Sequence, residues 1–359
     1  MRHRMGLTRR QLLATSSAAA LGSLAWPAGR VAVAAAPPAE AITPQLVDAA
    51  KKEGKIVWYT AVDLNVAEKV SKAFEAKYPG IAVKVERTGG ERIYQRIGQE
   101  YGSKIHACDV LHSSDAAHFI VWKREGWLTP YVPEDVAKHF PAEHKDPDGL
   151  FASWRIWLSA VGYNTKLVKP EEAPKSYADL LDPKWSGKIV KAHPGYSGTI
   201  MTATHQLARE LGWDYFEKLA KQKIMQVQSA SDPPKKLALG ERPIMFDGVD
   251  YLMYVLKDKG DPVEVVHPTE GIPIIVGPAG VMKNAPNPNA ARLFHNWSFT
   301  AEAQQLNVNV GGLRSAHALT KERAGRKSLK EIKTFKEDAA AVEKMADEIK
   351  AKYAAIFKV

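Results

Sequence analysis

The chain has 359 residues, enough for a large core and two lobes. Its single cysteine, Cys108, excludes an intrachain disulfide and a cysteine-cluster metal site. The formal charge is +10, but the first 34 residues carry five arginines and no acid, so +5 remains for the rest, with no basic run interleaved with aromatics. That balance argues against a nucleic-acid partner and suits anionic solutes.

Residues 1–36 read as a targeting segment. Thr8-Arg9-Arg10-Gln11-Leu12-Leu13 is a twin-arginine pattern, a small-residue apolar stretch runs to Trp26, and Ala32-Val33-Ala34 or Ala34-Ala35-Ala36 offers a cleavage site. A basic arm with an Ala-rich helix is the structural alternative. No other apolar run is long enough to span a bilayer. The expectation is a soluble protein exported to a Gram-negative periplasm.

From Ile42 the chain alternates helix and strand. Thr43 caps a helix with Pro44 in its first turn, and Lys55–Thr60 is the first strand. Helix Val66–Tyr78, strand Ile81–Glu86, the turn Thr88-Gly89-Gly90, helix Glu91–Ser103 and strand Asp109–His112 follow. Ser113-Ser114-Asp115 then caps a helix from Ala116 to Glu125. Repeated strand, polar turn and helix gives a parallel sheet whose polar turns share the strands' C-terminal edge, where open α/β sheets bind ligands. Trp154–Tyr163 reads as a long apolar strand. Ser229-Ala230-Ser231 is another polar turn, and Asp247-Gly248 turns into a helix from Val249 to Lys259. Ala324–Val359, rich in Lys and Ala, reads as a mostly solvated helical tail.

The stretch from His193 to Thr199 is the leading candidate site. A short β-branched strand precedes it, and apolar residues at helical spacing follow from Ile200 to Leu211. Ser197 and Thr199 therefore sit at a strand-to-helix turn, with Gly198 allowing close backbone approach. Free N–H groups, hydroxyls and the helix dipole favour carboxylate, phosphate or phosphonate there. An ordinary capped turn uses the same residues. Tyr59 faces away from the core residue Trp58 and is placed toward a cleft. Arg155 is either hinge packing or an anion's forked partner. Asp247 and Asp250 either contact ligand or serve the helix start at Tyr251.

This order of elements resembles the type II periplasmic solute-binding proteins of ABC importers, in the ferric-binding-like group. The likeness runs from Lys55 to about Ser315. It rests on Ile56–Thr60, Phe74–Gly80, Cys108–Asp115, Gly162–Thr165, Ser197–Thr199 and Gly277–Met282 together. The resemblance implies an α/β fold with two lobes, each a mostly parallel sheet flanked by helices, and a cleft between them. Lobe 1 is expected at 42–155 plus 276–325, lobe 2 at 156–275 and the tail at 326–359. It also implies a monomer with no cofactor and no catalysis, delivering a small molecule to an inner-membrane permease. Ferric members hold iron with a histidine, a carboxylate and two adjacent tyrosines. By order those positions fall on Asp63, Ser114 and the pair Asp250-Tyr251, and only Tyr251 matches. The segment holding the synergistic anion does match, as Ser197-Gly198-Thr199. The expectation is therefore an anionic or zwitterionic cargo, of phosphonate, phosphate-ester or organic-acid type. Ser113, Ser114, Ser231, Asp247, Asp250, Tyr59, Arg155, Tyr251 and Asp63 complete the site, with Asp63 facing an amine or hydroxyl. Iron, if bound, would use Tyr251, Asp250 and Asp63. An exported enzyme is the alternative of another class, but no Gly-x-Ser-x-Gly or His-Glu-x-x-His is present. A chemosensory module is the third reading.

Overall fold

The computed structural model describes residues 36–359, so the twin-arginine segment lies outside the described residues apart from Ala36. Among the described residues, eleven strands form two sheets. They are β1 (Lys55–Thr60), β2 (Ala82–Arg87), β3 (Val110–His112), β4 (Leu128–Thr129), β5 (Ala152–Leu158), β6 (Val161–Asn164), β7 (Ile189–Ala192), β8 (Met225–Val227), β9 (Ile244–Met245), β10 (Val263–Val266) and β11 (Ile274–Met282). The first sheet has the order β2-β1-β3-β11-β4, with β5 also paired to β11; the second runs β10-β6-β9-β7-β8. The parallel pairs are β2-β1-β3 and β9-β7-β8. The crossing strands return antiparallel, β11 on β3 and β5, and β6 on β9 and β10. Each sheet is thus mixed, with its parallel part beside the cleft.

The apolar stretch expected as one strand from Trp154 to Tyr163 is two, β5 and β6, broken at Ser159-Ala160. The break carries the chain from the first sheet to the second, and the segment from β10 to β11 brings it back. Every residue of β5 is buried, because both its faces are covered. Trp154 from β5 meets Trp58 of β1 edge-on at 6.0 Å, and Phe294 and Phe74 extend that aromatic core. Lobe 2 has its own core around Tyr177, Phe216 and Phe246.

The tail is not mostly solvated. Helix Ala339–Phe357 buries Val342, Ile349 and Tyr353 against both lobes. These residues recur at spacings of seven and four, which puts them on one helix face. Among the described residues, no helix is long and apolar enough to cross a membrane.

Candidate functional site

A narrow pocket with about 10 Å³ of free space lies between the lobes. Ala61, Arg87, Gly89, Gly90 and Ser114 line it from lobe 1. Arg155 and Trp157 enter from the crossing strand β5, and Ser197, Thr199, Ser229, Ala230, Ser231, Val249 and Tyr251 come from lobe 2. Most of these lie in the turns and helix starts that follow strand C-terminal ends, as the edge rule for α/β sheets requires.

Arg155 dominates the electrostatics. Its guanidinium is 1 % exposed, and its Nε and Nη2 have no hydrogen-bond partner within the chain. Burial pulls its pKa down to about 10, against the Tyr251 hydroxyl, which favours the charged form. The guanidinium lies 4.4 Å from the centroid of the Trp157 ring. Such contacts offset only about 0.5–2 kcal/mol, less than the several kcal/mol that burying an unpaired ion costs. Gly277, paired with Arg155 across β11, makes the arrangement possible: a Cβ there would come within 2.7 Å of the Trp157 ring. Arg87, at the end of β2, adds a second guanidinium. Its Nε donates to the Val62 carbonyl and its Nη2 donates to Ser229 Oγ across the cleft at 3.1 Å. Among the described residues no carboxylate lines the cavity.

Ser197 occupies the N-cap of helix Gly198–Leu211, yet its side chain makes no capping hydrogen bond. The hydroxyl is left free at the cavity wall, beside the helix's unpartnered first N–H groups. The lobes meet here on glycines. A Cβ on Gly89 would lie 2.3 Å from the Tyr196 carbonyl oxygen, and one on Gly198 would lie 2.7 Å from Asp115 Cβ. Gly198 therefore serves lobe contact and does not line the cavity.

Several residues expected at the site are placed elsewhere. Asp63 caps its own helix through Asn65 N and pairs with Lys235 across the cleft at 2.8 Å; Tyr251 O–H accepts from its backbone N–H at 3.3 Å. Its carboxylate is thus committed before any amine arrives. Asp250 accepts from Leu158 N and faces Arg314 at 3.8 Å, because one helical step turns it away from Tyr251. Asp247 accepts from Ala192 N and pairs with Lys191 at 2.7 Å in the lobe 2 interior. Tyr59 donates to Glu100 and lies under Arg96, because helices cover both faces of β1. Ser113 is held by His118 Nδ1 at 2.9 Å. The three oxygens proposed for iron, on Tyr251, Asp250 and Asp63, have these separate partners. Arg87, Trp157 and Ser229 were not singled out from sequence. Position could have pointed to two of them, since Arg87 ends β2 and Ser229 sits in the polar turn after β8; Trp157 lies inside β5 and carries no such signal.

A second polar cluster lies outside this cavity. Glu91, Asp115 and His118 are buried and bring ligand-type atoms within 4.8 Å of one another. Lys350 from the C-terminal helix already places its ammonium 2.8 Å from Glu91. Burial would raise the Glu91 pKa, but His118 and Lys350 bring it down to about 2. Against burial, Glu91 and Asp115 hold the His118 imidazole above its ordinary range. Two anions face two cations, so the cluster neutralises itself.

The profile of the bacterial extracellular solute-binding proteins matches residues 19–305. The chain belongs to that family. A probable ABC transporter periplasmic-binding protein of Sinorhizobium fredii is 27 % identical over 243 residues, covering 64 % of this chain and 66 % of that one. Among solved structures, the periplasmic binding protein AfuA of Actinobacillus pleuropneumoniae, with fructose-6-phosphate bound, superposes with a TM-score of 0.77 at 23 % identity. It covers 86 % of this chain and 99 % of that one. Iron-bound HitA of Pseudomonas aeruginosa gives 0.71 at 21 % identity, covering 84 % and 99 %. These neighbours establish the two-lobe periplasmic-binding-protein fold of the ferric-binding-like type. Solute-binding proteins of ABC importers bind small ligands and deliver them to a permease; they are not enzymes.

Proposed function

We propose that this chain captures a small anionic solute with a phosphate, phosphonate or carboxylate head, in the periplasm, and hands it to an inner-membrane ABC permease. The observation that carries the reading is Arg155, a residue that lines the interlobe pocket and whose buried guanidinium has two nitrogens without a hydrogen-bond partner. An anion there would accept a forked pair of charge-assisted hydrogen bonds. The Ser197 and Thr199 hydroxyls, the N-terminus of helix Gly198–Leu211 and Arg87 surround the same space. With two guanidiniums and no carboxylate on the wall, a dianionic head is favoured over a zwitterion, whose amine would lack a partner. The sugar phosphate of AfuA is one member of this class. Ferric iron is less well supported, because the cavity wall offers one phenol and no carboxylate for a hard cation.

The test is native mass spectrometry and metal analysis of the purified protein, followed by calorimetric titration. The probes are inorganic phosphate, methylphosphonate, citrate and ferric citrate. Binding of phosphate or phosphonate to metal-free protein supports the reading. A requirement for ferric ion, with a visible tyrosinate-to-iron band lost in Tyr251→Phe, overturns it.

A further inference from the structure

The C-terminal helix Ala339–Phe357 touches the two lobes in chemically different ways. Toward lobe 2 it is embedded. Tyr353 is fully buried, donates its hydroxyl to Gln226 of β8 at 2.8 Å, and meets His193 edge-on at 4.9 Å. The Lys191 ammonium lies 4.8 Å from the same ring. Ile356 and Phe357 join the lobe 2 core beside Phe216. Toward lobe 1 it packs on helix Ala116–Arg124 and adds two ion pairs. Glu343 accepts from Arg124 at 3.0 Å, and Lys350 donates to Glu91 at 2.8 Å. Where the three bodies meet, Val342 and Ile349 form one small apolar cluster with Ala117 of lobe 1 and Met201 of lobe 2.

We infer that this helix is a strap that travels with lobe 2 and releases lobe 1 when the cleft opens, so that the Lys350–Glu91 and Glu343–Arg124 pairs bias the protein toward closure. The physical ground is the asymmetry of cost. Withdrawing Tyr353, Ile356 and Phe357 exposes a large aromatic surface. Parting the ion pairs returns Arg124, Glu343 and Lys350 to water, and the buried Glu91 keeps His118 at 2.8 Å as its partner. The separation therefore falls on the lobe 1 side. Closure then depends on residues far along the chain from the cavity, without any contact to cargo. The inference rests on lobe closure and not on the nature of the cargo.

The experiment uses the full mature chain without cargo, by small-angle scattering and amide hydrogen exchange. In the double variant Lys350→Ala, Glu343→Ala, the open-to-closed ratio should rise roughly two- to thirtyfold, the range for losing two weak ion pairs. The radius of gyration should grow, and exchange should quicken at 339–350 while 351–357 stays protected. Circular dichroism and melting of the same samples show that the fold persists. Glu343→Arg alone should also open the protein, and adding Arg124→Glu should restore closure by reversing the pair. An unchanged scattering curve in the double variant, or equal exchange along the whole helix, overturns the inference. Because no cargo is present, failure here is distinct from failure of the anion reading.

Discussion

Replacing Arg155 with Met separates binding from folding in opposite directions. The substitution keeps much of the side-chain volume and removes a guanidinium that is 1 % exposed and unpaired at Nε and Nη2. Each charge-assisted hydrogen bond to an anion contributes roughly 1.5–3 kcal/mol. Losing a forked pair therefore costs about 3–6 kcal/mol, or roughly a hundred- to ten-thousandfold in affinity. Ser197→Ala removes a single hydroxyl, so its loss should be smaller, about ten- to hundredfold. Stability should move the other way. Exchanging a buried ion for an apolar group of similar volume is neutral or stabilising by about 1–4 kcal/mol, and the unliganded melting point should hold or rise. Arg155→Lys keeps the charge but loses the fork, and should bind between the two. The assay is calorimetric titration of phosphate and methylphosphonate into each variant, with melting curves on the same samples. Wild-type affinity in Arg155→Met would refute the role assigned to this guanidinium. So would a large drop in melting point, since that would make Arg155 a structural residue.

Gly89→Ala should bind weakly while remaining folded, because its Cβ would meet the Tyr196 carbonyl at 2.3 Å only when the lobes close; its backbone φ of −66° suits alanine. Gly98→Ala, in the same helix with open space around it, is the control that should bind normally in the same titration. Burial pushes Glu337 up to about 7, so between its unfolded value and that pKa the folded state holds a proton that the unfolded state has released. Glu337 therefore contributes stability that is lost as pH rises through about 7. Histidines with lowered values pull the other way, so the readout is the difference in melting point between wild type and Glu337→Gln, which should shift against wild type as pH rises from 5 to 8. Changing Arg9 and Arg10 together to Lys should trap precursor in the cytoplasm, and normal amounts of processed periplasmic protein would remove the twin-arginine reading.

The alternation of strand, polar turn and helix was legible, because each turn carries its own capping chemistry. Asp115 and Thr43 accept from the N–H groups that a helix start leaves free. What sequence hides is which partner a polar side chain chooses. Asp250 adjoins Tyr251 in the chain, but a helix turns successive residues by about 100°, and Asp250 faces Leu158 N and Arg314 instead. Tyr59 illustrates the two-sided sheet. Alternation put it opposite Trp58 as expected, but the opposite face of β1 is a second core and not a cleft. Cleft residues come from strand ends, which is why Arg87 and Ser229 belong to the cavity. In the tail, abundant Lys and Ala masked the stripe of Val342, Ile349 and Tyr353 that docks it.

The position of Arg155 on a crossing strand ties cargo charge to closure. It belongs to neither lobe's outer sheet edge, whereas Arg87 and Ser114 approach from lobe 1 and Ser197, Ser229 and Tyr251 from lobe 2. On the proposed reading, opening the lobes would return the guanidinium to water, whereas the closed form buries it at a cost that cation–π contact with Trp157 offsets only in part. An anion bound at the Ser197 turn would then cancel that cost in the closed state and not in the open one. A ligand shifts a conformational equilibrium only by its difference in affinity for the two states. Here that difference is set by the ligand's charge. A neutral solute of the same shape would have little of it, and would leave the lobes nearly as it found them.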